Sequence, residues 1–145
     1  MDYSLYRNIE LSIYKAFDSE LPDSVTLTDE ENEDAVDTPA VGLYMTRLGH
    51  VPFELGNESD QDVFTWGVGI FANTRQERDY LTVFIYNKLK DWTAILYDFS
   101  DGESSIGSLT FSNPTAEPIR SVESKADKLL YYALITFNMT YLQEE

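Results

Sequence analysis

"VFTWGVGIFANTRQERDYLTVFIYNKLK", residues 63–90, decides the fold, because its hydrophobic period changes once, between Ala72 and Thr74. Before that point the chain alternates. Phe64, Trp66, Val68, Ile70 and Ala72 face one way and are all apolar, while Val63, Thr65, Gly67, Gly69 and Phe71 face the other. Strict alternation with one apolar face predicts a strand packed on a core. Gly67 and Gly69 leave the opposite face nearly bare, which suits a helix or another backbone in close approach. After that point Leu81, Phe84, Ile85, Lys88 and Leu89 recur at helical spacing, with Tyr80 and Val83 flanking. Between the two runs, Thr74-Arg75-Gln76-Glu77 has the capping-box pattern, in which the threonine hydroxyl accepts a free N–H and the glutamate reaches back to the cap residue. Tyr80 and Leu81 then begin the buried face of a helix over 74–90, whose last turn carries Lys88 and Lys90 where cations suit the helix dipole.

Upstream, Leu5, Ile9, Ile13 and Phe17 keep a four-residue spacing and predict a surface helix, with Ser4 as its cap and Pro22 as its stop. Five acids, Asp29, Glu30, Glu31, Glu33 and Asp34, fall in six positions without apolar period, so residues 28–38 read as a flexible acidic loop. Residues 41–49 and 51–55 read as two short strands divided at Gly49-His50. Downstream, "TAILYDF" is a strand, "SDGESSIG" a turn and "SLTFS" a short strand, and Pro114 and Pro118 bracket a loop. From Lys128 to Leu142 the β-branched and aromatic content favours a long strand. The fold class is therefore α+β: a single domain over 1–145 with a mixed or antiparallel β-sheet flanked by two main α-helices.

Charge and composition narrow the chemistry. The 145 residues carry 26 acids against 10 bases, net −16, and the excess sits in the first half: 15 acids and 3 bases up to Asp62. A field of that sign disfavours tight binding to nucleic acid and to anionic membranes. No segment approaches the length of a membrane span, and the N-terminus lacks the pattern of a signal peptide, so no membrane partner is expected and the sequons at Asn57 and Asn138 read as chance. With no cysteine and His50 as the one histidine, thiolate nucleophiles, cysteine zinc sites and histidine pairs are excluded. Gly67-Val68-Gly69 lies inside a strand and lacks the third glycine of a dinucleotide fingerprint. Asp98 and Asp101 hint at a calcium loop, but Leu109 stands where the bidentate glutamate belongs, so turn chemistry accounts for them better. No catalytic residue, cofactor or metal is expected, and the chain reads as non-enzymatic.

Arg75 and Arg78 remain. Together with Glu77 and Asp79 they put four charges in five residues at a helix start, where cations oppose the dipole. Two readings stand: solvated first-turn arginines, with Arg78 bridged to a neighbouring acid, or a bridge to a carboxylate across a protein interface.

The run "VGIFANTRQERDYLTVFIYNKLKDWTAILYDFSDG", residues 68–102, resembles the centre of small tail-completion proteins of tailed bacteriophages, the tail terminator and neck group. Shared are an N-terminal helix, a strand entering an Arg/Glu-rich helix start, a following short strand and a long closing strand. The resemblance implies a virion protein assembled in the bacterial cytoplasm. Its subunits would form a homo-oligomeric ring, commonly a hexamer, that caps the tail tube protein, ends polymerisation and joins the tail to the head connector. DNA would pass through the lumen without specific binding. Arg75, Glu77, Arg78 and Asp79 are then subunit-interface candidates, and Asp29, Glu30, Glu31, Glu33 and Asp34 candidates for an acidic lumen that repels phosphate. The alternatives are a neck or head-closure ring and, in a different class, an acidic DNA mimic that inhibits a host nucleic-acid enzyme.

Overall fold

The computed structural model describes residues 2–28, 39–52, 60–100, 102–123 and 129–143. The acidic run from Asp29 to Asp34, the rest of the expected loop to residue 38, and Phe53–Leu55 of the second expected strand lie outside the described residues. Among the described residues, two helices and six strands follow one another as α1 (Tyr3–Glu20), β1 (Thr26–Thr28), β2 (Ala40–Pro52), β3 (Asp60–Ala72), α2 (Arg75–Lys90), β4 (Thr93–Asp98), β5 (Ser104–Glu123) and β6 (Leu129–Gln143). The strands form one sheet in the order β1-β2-β3-β6-β5-β4. Of the strand pairs among the described residues, β1–β2 is parallel and the rest are antiparallel, so the sheet is mixed and the class is α+β.

The apolar face read in β3 is buried as expected, but the other face is covered as well, since Gly67, Gly69 and Phe71 are also buried. Phe64, Trp66, Val68, Ile70 and Ala72 are all buried, and so are Ala133, Ile135, Phe137 and Met139 of β6 beside them. Residues two apart share a face, so the apolar sets of β2, β3 and β6 form one continuous floor. Both helices pack on that face. From α1 come Ile9, Ile13 and Phe17; from α2 come Leu81, Ile85 and Leu89. Phe17 joins the layers, with its ring edge-on to Trp92 at 5.2 Å and stacked on Phe137 at 6.2 Å. A Lys88–Glu20 bridge of 2.9 Å links the two helices at their C-terminal ends.

α1 also explains how the sheet is closed. On one flank its Asn8 and Ser12, the two buried polar residues of the core, accept hydrogen bonds from the backbone N–H groups of Phe99 and Tyr97 at 3.1 and 2.9 Å. On the other flank the Tyr14 hydroxyl donates to the Leu43 carbonyl of β2 at 2.9 Å. β4 is one end of the strand order and β2 lies next to the other end, so the sheet curls around α1. Unpaired N–H groups on an edge strand template unwanted pairing. Here α1 side chains occupy two such groups, the Tyr97 N–H of β4 and the Phe99 N–H just beyond it.

Several expectations are corrected. Asp2, not Ser4, caps α1: its carboxylate accepts from the Leu5 N–H at 2.8 Å. Thr26–Thr28 is a short strand beside β2, so Thr28, expected to open the acidic loop, belongs to the sheet. Residues 40–52 form one strand through Gly49-His50, because β3 pairs with it along its whole length and a register shift between Met45 and Arg47 absorbs the mismatch. Nor do the prolines end β5. A bulge between Ser112 and Thr115 carries Asn113 at φ 53°, and pairing with β6 resumes beyond it. Asparagine tolerates that left-handed conformation, and a bulge is where a sheet accepts proline. Gly67 and Gly69 face no helix or backbone; the Tyr44 ring covers the first and the Tyr132 hydroxyl approaches the second.

Candidate functional site

The start of α2 is built as the capping box requires. Thr74 is extended, at φ −135° and ψ 157°, and its Oγ1 accepts from the Glu77 N–H at 3.1 Å. The Glu77 carboxylate reaches back one residue further than expected, accepting from the Asn73 N–H at 3.0 Å. Two otherwise orphaned N–H groups are thereby satisfied, and a negative charge sits at the positive end of the helix. Glu77 thus has a structural task inside its own chain.

The two arginines part company. Arg78 falls on the buried stripe with Leu81, Ile85 and Leu89, and only 11% of its side chain is exposed. Its Nε donates to Oδ1 of Asp79 at 3.0 Å and its Nη2 lies 3.0 Å from the same oxygen, which makes the pair a local ion bridge. Arg75 points outward, exposed, and makes no ion pair among the described residues. Of the four candidates, then, the structure joins Arg78 to Asp79, spends Glu77 on the cap and leaves Arg75 available.

Tyr80 is not on the buried face. It is 61% exposed and Val83 is 58% exposed. With Leu81, Ile85 and Leu89 inward, a step of about 100° per residue turns positions 80 and 83 away from the core. Tyr80 stacks on Phe84, centroids 6.2 Å apart and planes at 25°, so its ring is held along the helix. Beside Val83 a shallow groove runs between α2 and β5, lined by Thr82, Tyr86, Pro114, Thr115 and Ala116. Lys90 ends the outward face with its ammonium 5.3 Å from the Tyr86 ring centre. The helical period contained this signal, which needed only that the buried stripe be centred on Leu81.

A second depression lies between α1, β1 and the β4–β5 connection, lined by Tyr14, Lys15, Asp18, Leu27, Phe99 and Glu103. Lys15 bridges to Glu103 and lies over the Tyr97 ring at 5.1 Å; that hydrogen bond to Glu103 holds its ammonium pKa above the ordinary lysine value. Asp98 accepts from the Ser100 hydroxyl at 2.7 Å, from the Ser100 N–H at 2.9 Å and weakly from Asn8. Those bonds, the Ser100 hydroxyl first, lower its pKa. They are the bonds of an Asx turn, as its sequence suggested; Asp101 lies outside the described residues. Among the described residues no three His, Cys, Asp or Glu side chains converge as a metal site requires, and no helix is long and apolar enough to cross a membrane. The chain matches no protein-family model, and no curated protein matches it.

Proposed function

We propose that this chain is a structural, non-enzymatic subunit of a ring at the head–tail junction of a tailed bacteriophage. The ring caps the tail tube, ends its polymerisation and connects it to the head, with DNA passing through the lumen. One observation carries the reading: the outward face of α2 presents Arg75, Tyr80, Val83 and Lys90 on a chain of net charge −16. α2 holds four bases against two acids, so its sign opposes that of the chain around it. An exposed aromatic–aliphatic stripe with basic ends is the composition of an interface that meets an acidic protein surface. The order of elements also supports the reading. An N-terminal helix, a strand entering a charged helix start, a short strand and a long closing strand occur in that order, with β1, β2 and the 20-residue β5 between them, and this layout resembles the tail-completion group.

Net acidity suits the lumen role, because carboxylates repel the phosphate backbone and let DNA slide, whereas basic walls hold it by many salt-dependent contacts. Acidity also works against assembly, since subunits of net charge −16 repel one another. Rings should therefore weaken at low salt and strengthen toward about 0.15 M, where the screening length falls to roughly 8 Å. Native mass spectrometry across a salt series, with and without the tail tube protein, reads this directly. A strict monomer under all of these conditions sinks the proposal. Particles assembled without the protein place the ring: overlong tails mark a terminator, and complete tails that fail to join filled heads mark neck closure.

A further inference from the structure

We infer that the outward stripe of α2 seats in the depression between α1, β1 and the β4–β5 connection of a second copy of this chain, with Arg75 of one copy against Asp18 of the next. The inference rests on the ring reading and names the two halves of its contact.

The stripe is a ridge. Tyr80 and Val83 stand more than half exposed, and the stack on Phe84 keeps the tyrosine ring along the helix. At its N-terminal end Arg75 is exposed and makes no ion pair among the described residues. The depression is its opposite in shape and sign. Tyr14, Leu27 and Phe99 are half-buried and supply apolar surface, while Asp18 and Glu103 supply exposed carboxylates. Glu103 is taken by Lys15, whereas Asp18 makes no ion pair among the described residues. An unpaired cation beside an apolar ridge thus corresponds to an unpaired anion beside an apolar hollow.

The occupant is a second copy because the same chain carries both members of the complementary pair. The two surfaces share no residue, so the contact can repeat head-to-tail from one copy to the next. Repeated contacts of that kind close into a ring or run on as a filament. The charge distribution points the same way: α2 has a net excess of bases, so its best-matched surface on an acidic copy is one away from α2 itself.

The test is a charge swap on the intact chain. Native mass spectrometry and sedimentation would compare the wild type with Arg75→Asp, Asp18→Arg, the two combined, and Tyr80→Ser. All three side chains are exposed, so thermal melts of the monomers should coincide. Each single charge reversal should weaken subunit association about tenfold or more, since like charges then meet across the contact. The combined variant should recover association to within about threefold of the wild type, because the pair is restored in reverse. Tyr80→Ser should also weaken it, with no rescue by either charge change. Single variants that assemble like the wild type overturn this contact and leave the ring reading standing. Failure of the combined variant to recover overturns it as well. A wild type that stays monomeric overturns both.

Discussion

Replacing Ser12 with alanine tests whether α1 truly closes the edge of β4. The hydroxyl is 1% exposed with its residue and accepts from the Tyr97 N–H at 2.9 Å. Alanine leaves that N–H facing a helix without an acceptor, at a cost of about 1–3 kcal/mol. The side chains differ by one oxygen, so little cavity is created. Alanine is also the better helix former, by about 0.5 kcal/mol, which offsets part of the loss. The net expectation is destabilisation of about 0.5–2.5 kcal/mol, a noticeable share of the ~5–15 kcal/mol typical of a domain. Urea unfolding should show the midpoint falling by roughly half a molar with an unchanged slope. Amide exchange locates the effect: Ser12→Ala should accelerate exchange at Tyr97 more than at Phe99, and Asn8→Ala the reverse, because Asn8 serves Phe99. If Ser12→Ala is as stable as the wild type and the Tyr97 amide keeps its protection, helix side chains do not close this edge, and the reasoning fails.

Three further outcomes are expected. Thr74→Ala should cost about 1 kcal/mol by removing the acceptor for the Glu77 N–H, lowering the melting temperature by about 3 °C, while Thr74→Ser should be nearly neutral. Gly107→Ala should be far worse than Gly67→Ala. A Cβ at 107 falls 2.0 Å from the Leu142 carbonyl oxygen, which belongs to a paired strand, whereas at 67 it meets the Tyr44 ring at 2.6 Å, and a ring can turn aside. Overpacking costs of about 1–3 kcal/mol apply where relief exists, so Gly107→Ala should exceed that range in chemical denaturation. The pH dependence of Asp98 follows from its bonds. Its folded pKa lies below the unfolded value, so its contribution is fully present above about pH 4 and is lost as pH falls through the folded pKa. Ser100→Ala should raise that pKa toward the ordinary aspartate value, as a carboxyl NMR titration would read.

Residues 63–90 alone determined a strand with an apolar core face, a capped helix start and an amphipathic helix, because alternation, the 3.6-residue period and the Thr–Glu cap are local signals. The same holds for α1 and for the long strand β6, whose alternating sets separate into buried and half-exposed faces. Where expectation and structure part, the deciding partner is distant in the chain. Prolines at 114 and 118 look like strand breakers until β6 pairs across a bulge and carries β5 through them. Gly49-His50 looks like a turn until β3 runs antiparallel along β2.

The candidate site divides in the same way. Thr74 and Glu77 were legible because a cap is made within four residues. The bridge from Arg78 to an acid beside it was one of the two readings, but the burial of Arg78 against the exposure of Arg75 was not legible, because it depends on which side of α2 meets the sheet, and that is set by Leu81, Ile85 and Leu89 packing on strands far away in sequence. Asn8 and Ser12 carry no motif at all. Their role appears only when curling brings β4, some ninety residues downstream, against α1 and leaves its N–H groups in need of acceptors. Sequence determined the two helices and the strands β3, β4 and β6, since those follow from local period. Tertiary structure decided which charges are spent, which edge is closed and which stripe of α2 stays exposed, since each depends on a neighbour that only the folded chain supplies.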